Sequence, residues 1–125
     1  MRYDTQDARD ATLKYFDGGD ILATDVFITK YALTDCNSNL LEKTPDDMHR
    51  RLAKEFYRIE NKFQRGLSEQ EIYDLFYRFK RVIPQGSPMS AIGNDNQIQS
   101  LSNCFVVESP QDSYGGICKA DEELA

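Results

Sequence analysis

The segment formed by residues 44–63 constrains the fold of this chain more than any other. It begins with Thr-Pro-Asp-Asp, in which a hydroxyl cap, a proline at the first helical position and acids in the first turn all favour the start of a helix. Apolar residues then recur every three or four positions along one helical face. These residues are Met48, Leu52, Phe56, Ile59 and Phe63. The segment predicts a long amphipathic helix whose apolar stripe belongs to the core.

Helices also dominate the sequence on either side of that segment. Residues 4–16 are predicted as a first helix, which Asp17-Gly18-Gly19 ends, and residues 21–33 as a second helix capped by Asp20. Residues 68–71, Ser-Glu-Gln-Glu, form a capping box for a further helix. The apolar stripe of that helix consists of Ile72, Leu75, Phe76 and Phe79. The first 80 residues are therefore predicted to be helical.

The pattern changes after Lys80 to short β-prone runs. Val82-Ile83 is strand-like and stops at Pro84, and residues 101–108 are predicted as a strand centred on Phe-Val-Val. A last helix is predicted from Tyr114, and no helix stop signal precedes Ala125, so the chain is expected to be cut rather than finished. The whole pattern predicts an α+β fold.

Composition excludes several classes of function. A chain of 125 residues is one domain at most, and its 21 acidic and 15 basic side chains argue against nucleic acid as a main partner. No apolar stretch approaches the roughly 20 residues that span a membrane, and the N-terminus lacks the apolar core of a signal peptide. Cys36, Cys104 and Cys118 have no metal-type spacing. We therefore expect no membrane segment, no metal site and a cytoplasmic location with reduced thiols.

Few residues suggest chemistry by themselves. His49, the only histidine, is interpreted as a surface residue of its helix, and no metal site or Ser/His/Asp arrangement can be built around it. Cys104, inside an apolar strand, is more simply a buried structural thiol than a redox group. Its neighbours Ser102 and Asn103 favour a redox role, because hydroxyl and amide groups beside a thiol suit a polar ligand.

Two segments in combination resemble the large catalytic chain of ribonucleotide reductases. They are residues 81–89, Arg-Val-Ile-Pro-Gln-Gly-Ser-Pro-Met, and residues 99–106, Gln-Ser-Leu-Ser-Asn-Cys-Phe-Val. The adenosylcobalamin-dependent, class II branch is the most similar, because residues 25–33 and 40–49 resemble its helical leader. Residues 112–114, Asp-Ser-Tyr, which open the last helix, are similar as well. The resemblance covers nearly the whole chain.

The resemblance implies a fold and a place in a larger enzyme. Residues 1–80 would be the helical N-terminal domain of a reductase, and residues 81–125 would supply the first strands of its ten-stranded α/β barrel. No Asn-x-Cys-x-Glu segment, which carries the radical cysteine of the family, occurs in this sequence. The second reductant cysteine and the cobalamin-binding surface are missing too. The chain would thus be an incomplete, inactive fragment of an α+β enzyme.

The resemblance also implies roles for individual residues. In the family a thiyl radical removes the ribose 3′-hydrogen, the 2′-hydroxyl leaves as water, and two cysteines supply two electrons by forming a disulfide. Cys104 matches the first cysteine of that pair. Ser87 matches a position whose hydroxyl holds the substrate phosphate, and Asn103 and Cys104 match contacts to the ribose. Residues 112–114, Asp112, Ser113 and Tyr114, match a loop that binds a deoxynucleotide effector at the dimer interface.

The implied partners are a ribonucleotide substrate, a deoxynucleotide effector, the remainder of the reductase chain and, in the complete enzyme, a second copy of it. Adenosylcobalamin would be bound mainly by the part that this chain lacks. Two alternatives stay open. One is the same segment of a class I ribonucleoside-diphosphate reductase, which shares the loop and strand motifs. The other is a non-catalytic helical interaction module, which the joint presence of Ser87, Asn103 and Cys104 disfavours.

Overall fold

Helices make up almost all the regular structure of residues 2–102 and 104–124, which are the residues that the computed structural model describes. The α-helices are α1 (Thr5–Tyr15), α2 (Ile21–Val26), α3 (Pro45–Glu60), α4 (Glu69–Phe76), α5 (Gly86–Ala91) and α6 (Tyr114–Leu124). A π-helical turn, Phe27–Tyr31, extends α2, and a 3₁₀ turn, Tyr77–Phe79, follows α4. The predicted second helix is therefore a short α-helix with a wider turn at its end.

Polar caps lie at the starts of α1, α2 and α4, as the sequence predicts. The Asp4 carboxylate accepts the backbone N–H of Gln6 at 2.8 Å, and the Asp20 carboxylate accepts that of Ala23 at 2.8 Å. Ser68 and Glu71 form the predicted capping box of α4, in which the Ser68 N–H donates to the Glu71 carboxylate at 2.8 Å. Each cap satisfies a backbone donor that the helix itself leaves unpaired.

The hydrophobic core forms where α3 meets α4, α1 and the π-helical turn. Its buried apolar residues are Ala8, Phe27, Ile28, Leu40, Met48, Leu52, Ala53, Ile72, Tyr73 and Phe76. The first turns of the predicted α3 stripe are thus buried, whereas Ile59 is 44% exposed and Phe63, beyond the end of α3, is 64% exposed. The stripe is core only where another helix covers it.

The prediction that His49 lies on the surface is wrong. The side chain has no exposed area and packs against three aromatic rings, of Tyr15, Phe76 and Phe79, with the Phe79 ring centroid 4.5 Å away. Neither ring nitrogen has a hydrogen-bond partner among the described residues. Burial lowers the pKa of His49 to about 4, although the nearby Asp46 carboxylate favours the charged form. His49 is therefore a neutral core residue.

The expected α+β fold, with the first strands of a barrel, is wrong for the described chain. Its only β-type pairings are the isolated bridges of Leu40 with Tyr3 and with Thr34. Residues 101–102 and 104–108 are irregular, and the Val82 N–H donates to the Leu75 carbonyl at 3.0 Å, closing a turn. A strand is stable only when its backbone pairs with a neighbour, and β-prone composition supplies none. Phe105 and Val106 are consequently 71% and 101% exposed.

The buried histidine makes stability depend on pH. Because the pKa of His49 is about 4 in the folded chain and about 6.5 when unfolded, the unfolded state binds the extra proton between these values. We expect His49 to remove roughly 2 kcal/mol of stability as the pH falls from 7 to 4. Urea unfolding of the parent and of His49→Phe, which keeps an aromatic ring, measures this. The free energy of unfolding of the parent should fall relative to that of His49→Phe as the pH falls. Parallel pH profiles of the two free energies would contradict the prediction.

Candidate functional site

Ser87 lies in the first turn of α5, at the edge of a surface cleft. The cleft, called here the Ser87 cleft, has a volume of about 390 Å³ and is lined by Lys30, Tyr31, Gly86, Ser87 and Ser90. A Cβ atom at Gly86 would lie 3.3 Å from the Tyr31 hydroxyl, so the ring lies directly against the start of α5. The residues that line the cleft thus include a serine and an exposed lysine, whose side chains can both bind an anion.

A buried ion pair lies behind α5. The Arg51 Nε donates to the Glu42 carboxylate at 2.6 Å, and the two side chains are only 10% and 5% exposed. The Arg51 guanidinium also donates to the carbonyl of Met89 at 2.8 Å and to that of Ile92. It therefore satisfies carbonyls at the C-terminal end of α5, which the helix leaves without internal donors.

The chain that follows α5 passes close to the Arg51 side chain. Gly93 has φ of +71°, and a Cβ there would lie 2.9 Å from the Arg51 Cγ. Both the left-handed backbone and the close approach require glycine. The contact fixes where the chain leaves α5.

The predicted reductant lies elsewhere. Cys104 is an exposed free thiol in the irregular segment and does not line the Ser87 cleft. The expectation of a buried thiol within a strand is therefore wrong. Asn103, predicted to contact the ribose, lies outside the described residues. Cys36 and Cys118 are also exposed and free.

The predicted effector residues lie at the start of α6. The Ser113 hydroxyl accepts the N–H of Gly116 at 3.0 Å, so Ser113 caps the helix. Asp112 is exposed, and Tyr114 is 91% exposed. The segment before the helix and one face of α6 border an open depression of about 400 Å³ that includes Ser113 and Lys119. This arrangement leaves Asp112 and Tyr114 accessible to a ligand.

The described residues contain neither a cluster of metal-ligating side chains nor a helix suited to a membrane. Among residues 2–102 and 104–124, no three His, Cys, Asp or Glu side chains come together in a way that could hold a metal ion. No helix in this described part is long and apolar enough to cross a bilayer.

Comparison of this chain with known protein families, with curated proteins and with solved structures finds no match.

Apart from Ser87, the sequence did not indicate the residues that line or support the Ser87 cleft. Lys30 and Tyr31 lie in the π-helical turn, more than 50 positions before Ser87, and Glu42 follows a polar turn. Arg51 lies on a helix face that periodicity assigns to solvent, and it becomes buried because α5 covers it. In the sequence, only Gly86 and Gly93 indicate that chain segments approach each other closely at these positions.

The two adjacent glycines of α6 should respond differently to alanine. A Cβ at Gly116 would lie 2.7 Å from the Gln111 carbonyl oxygen, whereas a Cβ at Gly115 meets nothing within 4 Å. Gly115→Ala should stabilise the helix by up to about 1 kcal/mol, and Gly116→Ala should disrupt the turn before it. Cα chemical shifts of residues 114–124 measure both effects. Equal gains in helicity would contradict the Gly116–Gln111 contact.

Proposed function

We propose that this chain is the N-terminal part of an adenosylcobalamin-dependent ribonucleotide reductase, a cytoplasmic enzyme that makes deoxyribonucleotides. The observation that carries the proposal is the pairing of Gly-Ser-Pro-Met at residues 86–89 with Ser-Asn-Cys-Phe-Val at residues 102–106. These two short segments contain the phosphate-binding serine and the reductant cysteine that such a reaction needs.

Ser87 is proposed to bind the substrate phosphate. Its position in the first turn of α5, in a cleft that Lys30 also lines, supports this role, because a hydroxyl donor and an ammonium group together favour a phosphate oxygen. Among the described residues that line the cleft, Lys30 is the only one with a charged side chain. The cleft is therefore cationic at its rim.

Cys104 is proposed to supply one of two reducing thiols. Loss of two hydrogens from a pair of thiols forms one disulfide, and the two electrons and two protons replace the ribose 2′-hydroxyl by hydrogen and release water. The exposure of Cys104 supports this role, since a reductant must reach the substrate and must later be reduced itself. The second thiol belongs to the remainder of the reductase.

Asp112 and Tyr114 are proposed to bind the deoxynucleotide effector. Ser113 already uses its hydroxyl to cap α6, so the exposed neighbours are the groups left to read a sugar or base. The Asp112 carboxylate would accept a hydrogen bond from such a ligand, because its charge repels phosphate. In the complete enzyme this loop would lie at the interface between two copies.

Adenosylcobalamin is proposed to be bound mainly by the remainder of the reductase. The cleft of about 580 Å³ beside α3 is open, and charged side chains border it. These side chains are Arg51, Lys54, Glu55, Arg58, Glu69 and Asp95. No step is therefore derived through the cofactor from this part of the chain.

A helical interaction module is the second candidate. The observation that favours it is the set of uncovered apolar side chains between residues 98 and 107, because exposed apolar surface commonly marks a partner site. The two candidates differ in their chemistry: a module needs neither a hydroxyl at position 87 nor a thiol at position 104.

The reading frame that continues beyond Ala125 tests the family directly. An in-frame Asn-x-Cys-x-Glu segment would supply the radical cysteine that the proposal requires. A natural continuation that contains no such segment, with no second gene encoding it, would contradict the reductase assignment.

The purified chain should be inactive by itself. With adenosylcobalamin, a dithiol and a ribonucleotide, we expect no deoxyribonucleotide by chromatography, since the radical cysteine and the second reductant are missing. A reductase that contains these residues provides the positive control. Turnover by the 125-residue chain alone would overturn the proposed division of the enzyme.

In a reductase that contains this segment, Cys104→Ser should leave folding unchanged, because the residue is exposed and the change in volume is small. Multiple turnovers should stop, since serine cannot supply reducing equivalents. Cys118→Ser, at another exposed free thiol, is the matched control and should cycle at the parental rate. Parental turnover by Cys104→Ser would remove the proposed reductant role.

A further inference from the structure

We infer that Arg51 is a positioning residue which, paired with Glu42, holds both walls of the Ser87 cleft in place. The inference rests on the proposed function in so far as Ser87 is taken as the phosphate ligand. The two walls of the cleft come from distant parts of the chain. One wall is the π-helical turn with Lys30 and Tyr31, and the other is the first turns of α5.

The α5 wall is held from its far end. Arg51 donates from its two terminal nitrogens to the carbonyls of Met89 and Ile92, at and just after the last turn of α5. A helix of six residues, Gly86–Ala91, is too short to be stable alone, so its orientation depends on such tertiary contacts. Fixing the C-terminal end of so short a helix also fixes Ser87 at its start.

The opposite wall is held by the same ion pair. Glu42 Oε1 accepts the Arg51 Nε–H at 2.6 Å, and Glu42 Oε2 accepts both the N–H of Leu33 at 2.9 Å and a terminal N–H of Arg51 at 3.3 Å. Leu33 is two residues beyond the end of the π-helical turn that carries Tyr31. One carboxylate–guanidinium pair therefore connects the backbone next to Tyr31 with the backbone at the end of α5.

Burial makes this connection specific. The planar guanidinium can donate to a carboxylate and to two carbonyls at once, which a lysine ammonium cannot do in the same geometry. Both partners are nearly buried, so neither charge is satisfied by water if the other is removed. Arg58, seven residues later on α3, pairs with Glu55 on the surface and provides a matched control on the same helix.

Backbone amide exchange on the chain itself tests the inference without any nucleotide. In the parent, a nuclear Overhauser contact should join the Tyr31 ring to Gly86. Arg51→Met should abolish it and raise exchange at Met89 and Ile92 about tenfold or more, while Leu52 and Ile72 in the core change far less. Arg51→Lys should show the same pattern in weaker form, and Arg58→Met should match the parent.

If Arg51→Met unfolds the chain, the double variant Arg51→Met/Glu42→Gln takes its place in the exchange measurement. Glutamine keeps an acceptor for the Leu33 N–H, and no unpaired charge remains buried. A uniform rise in exchange across core and α5 would reduce Arg51 to a general stabilising role and overturn the inference. Absence of the Tyr31–Gly86 contact in the parent, or unchanged exchange in the double variant, would also overturn it.

A kinetic measurement in a reductase that contains this segment separates the inference from the proposed function. Arg51→Lys should raise KM for the ribonucleotide about tenfold and leave kcat within about twofold, because it displaces a phosphate contact rather than a reacting group. Altered exchange with an unchanged KM would contradict Ser87 as the phosphate ligand but keep Arg51 as the residue that positions α5. An altered KM without altered exchange would overturn the inference.

Discussion

The ion pair between Glu42 and Arg51 is the interaction on which the arrangement of the candidate site depends. It joins α3, the chain after the π-helical turn and α5, three parts that share no continuous helix. A buried ion pair adds little net stability compared with apolar packing. In other proteins, however, removal of one partner of such a pair typically costs about 3–5 kcal/mol. Its contribution is therefore to specify one arrangement, because every displaced alternative leaves a charge without a partner.

The apolar face of α3 makes that burial possible. Met48 and Leu52 are fully buried, and the Phe56 and Phe76 rings, from α3 and α4, stack with centroids 5.8 Å apart. On the neighbouring side, the His49 ring fills the space between α1 and the end of α4. Its two ring nitrogens have no hydrogen-bond partner among the described residues. Arg51 lies on another face of α3, where Glu42 and the C-terminal end of α5 cover it.

Local signals in the sequence predicted the starts of α1, α2, α3, α4 and α6 well, but they predicted neither α5 nor most of the site. Capping residues such as Asp4, Asp20 and Ser68 act on the backbone within a few positions, so their effect can be read without tertiary information. The burial of His49 and Arg51 depends on chain more than 25 positions away, and periodicity along one helix does not contain that information. The predicted strand failed for the same reason, because a strand needs a partner that composition does not identify.

The chain thus divides into helices that pack against one another and an irregular segment that contains Cys104. Ser87 has fixed neighbours, whereas Cys104 lies in a segment without a charged residue between Asp95 and Glu108 and with Phe105 and Val106 exposed to water. An exposed thiol on irregular chain has no defined approach to a substrate, and orientation supplies much of the rate of any such reaction. Redox chemistry at Cys104 therefore requires another surface that covers these apolar side chains. The proposed phosphate site at Ser87, in contrast, lies between elements that already pack against each other, α5 and the π-helical turn.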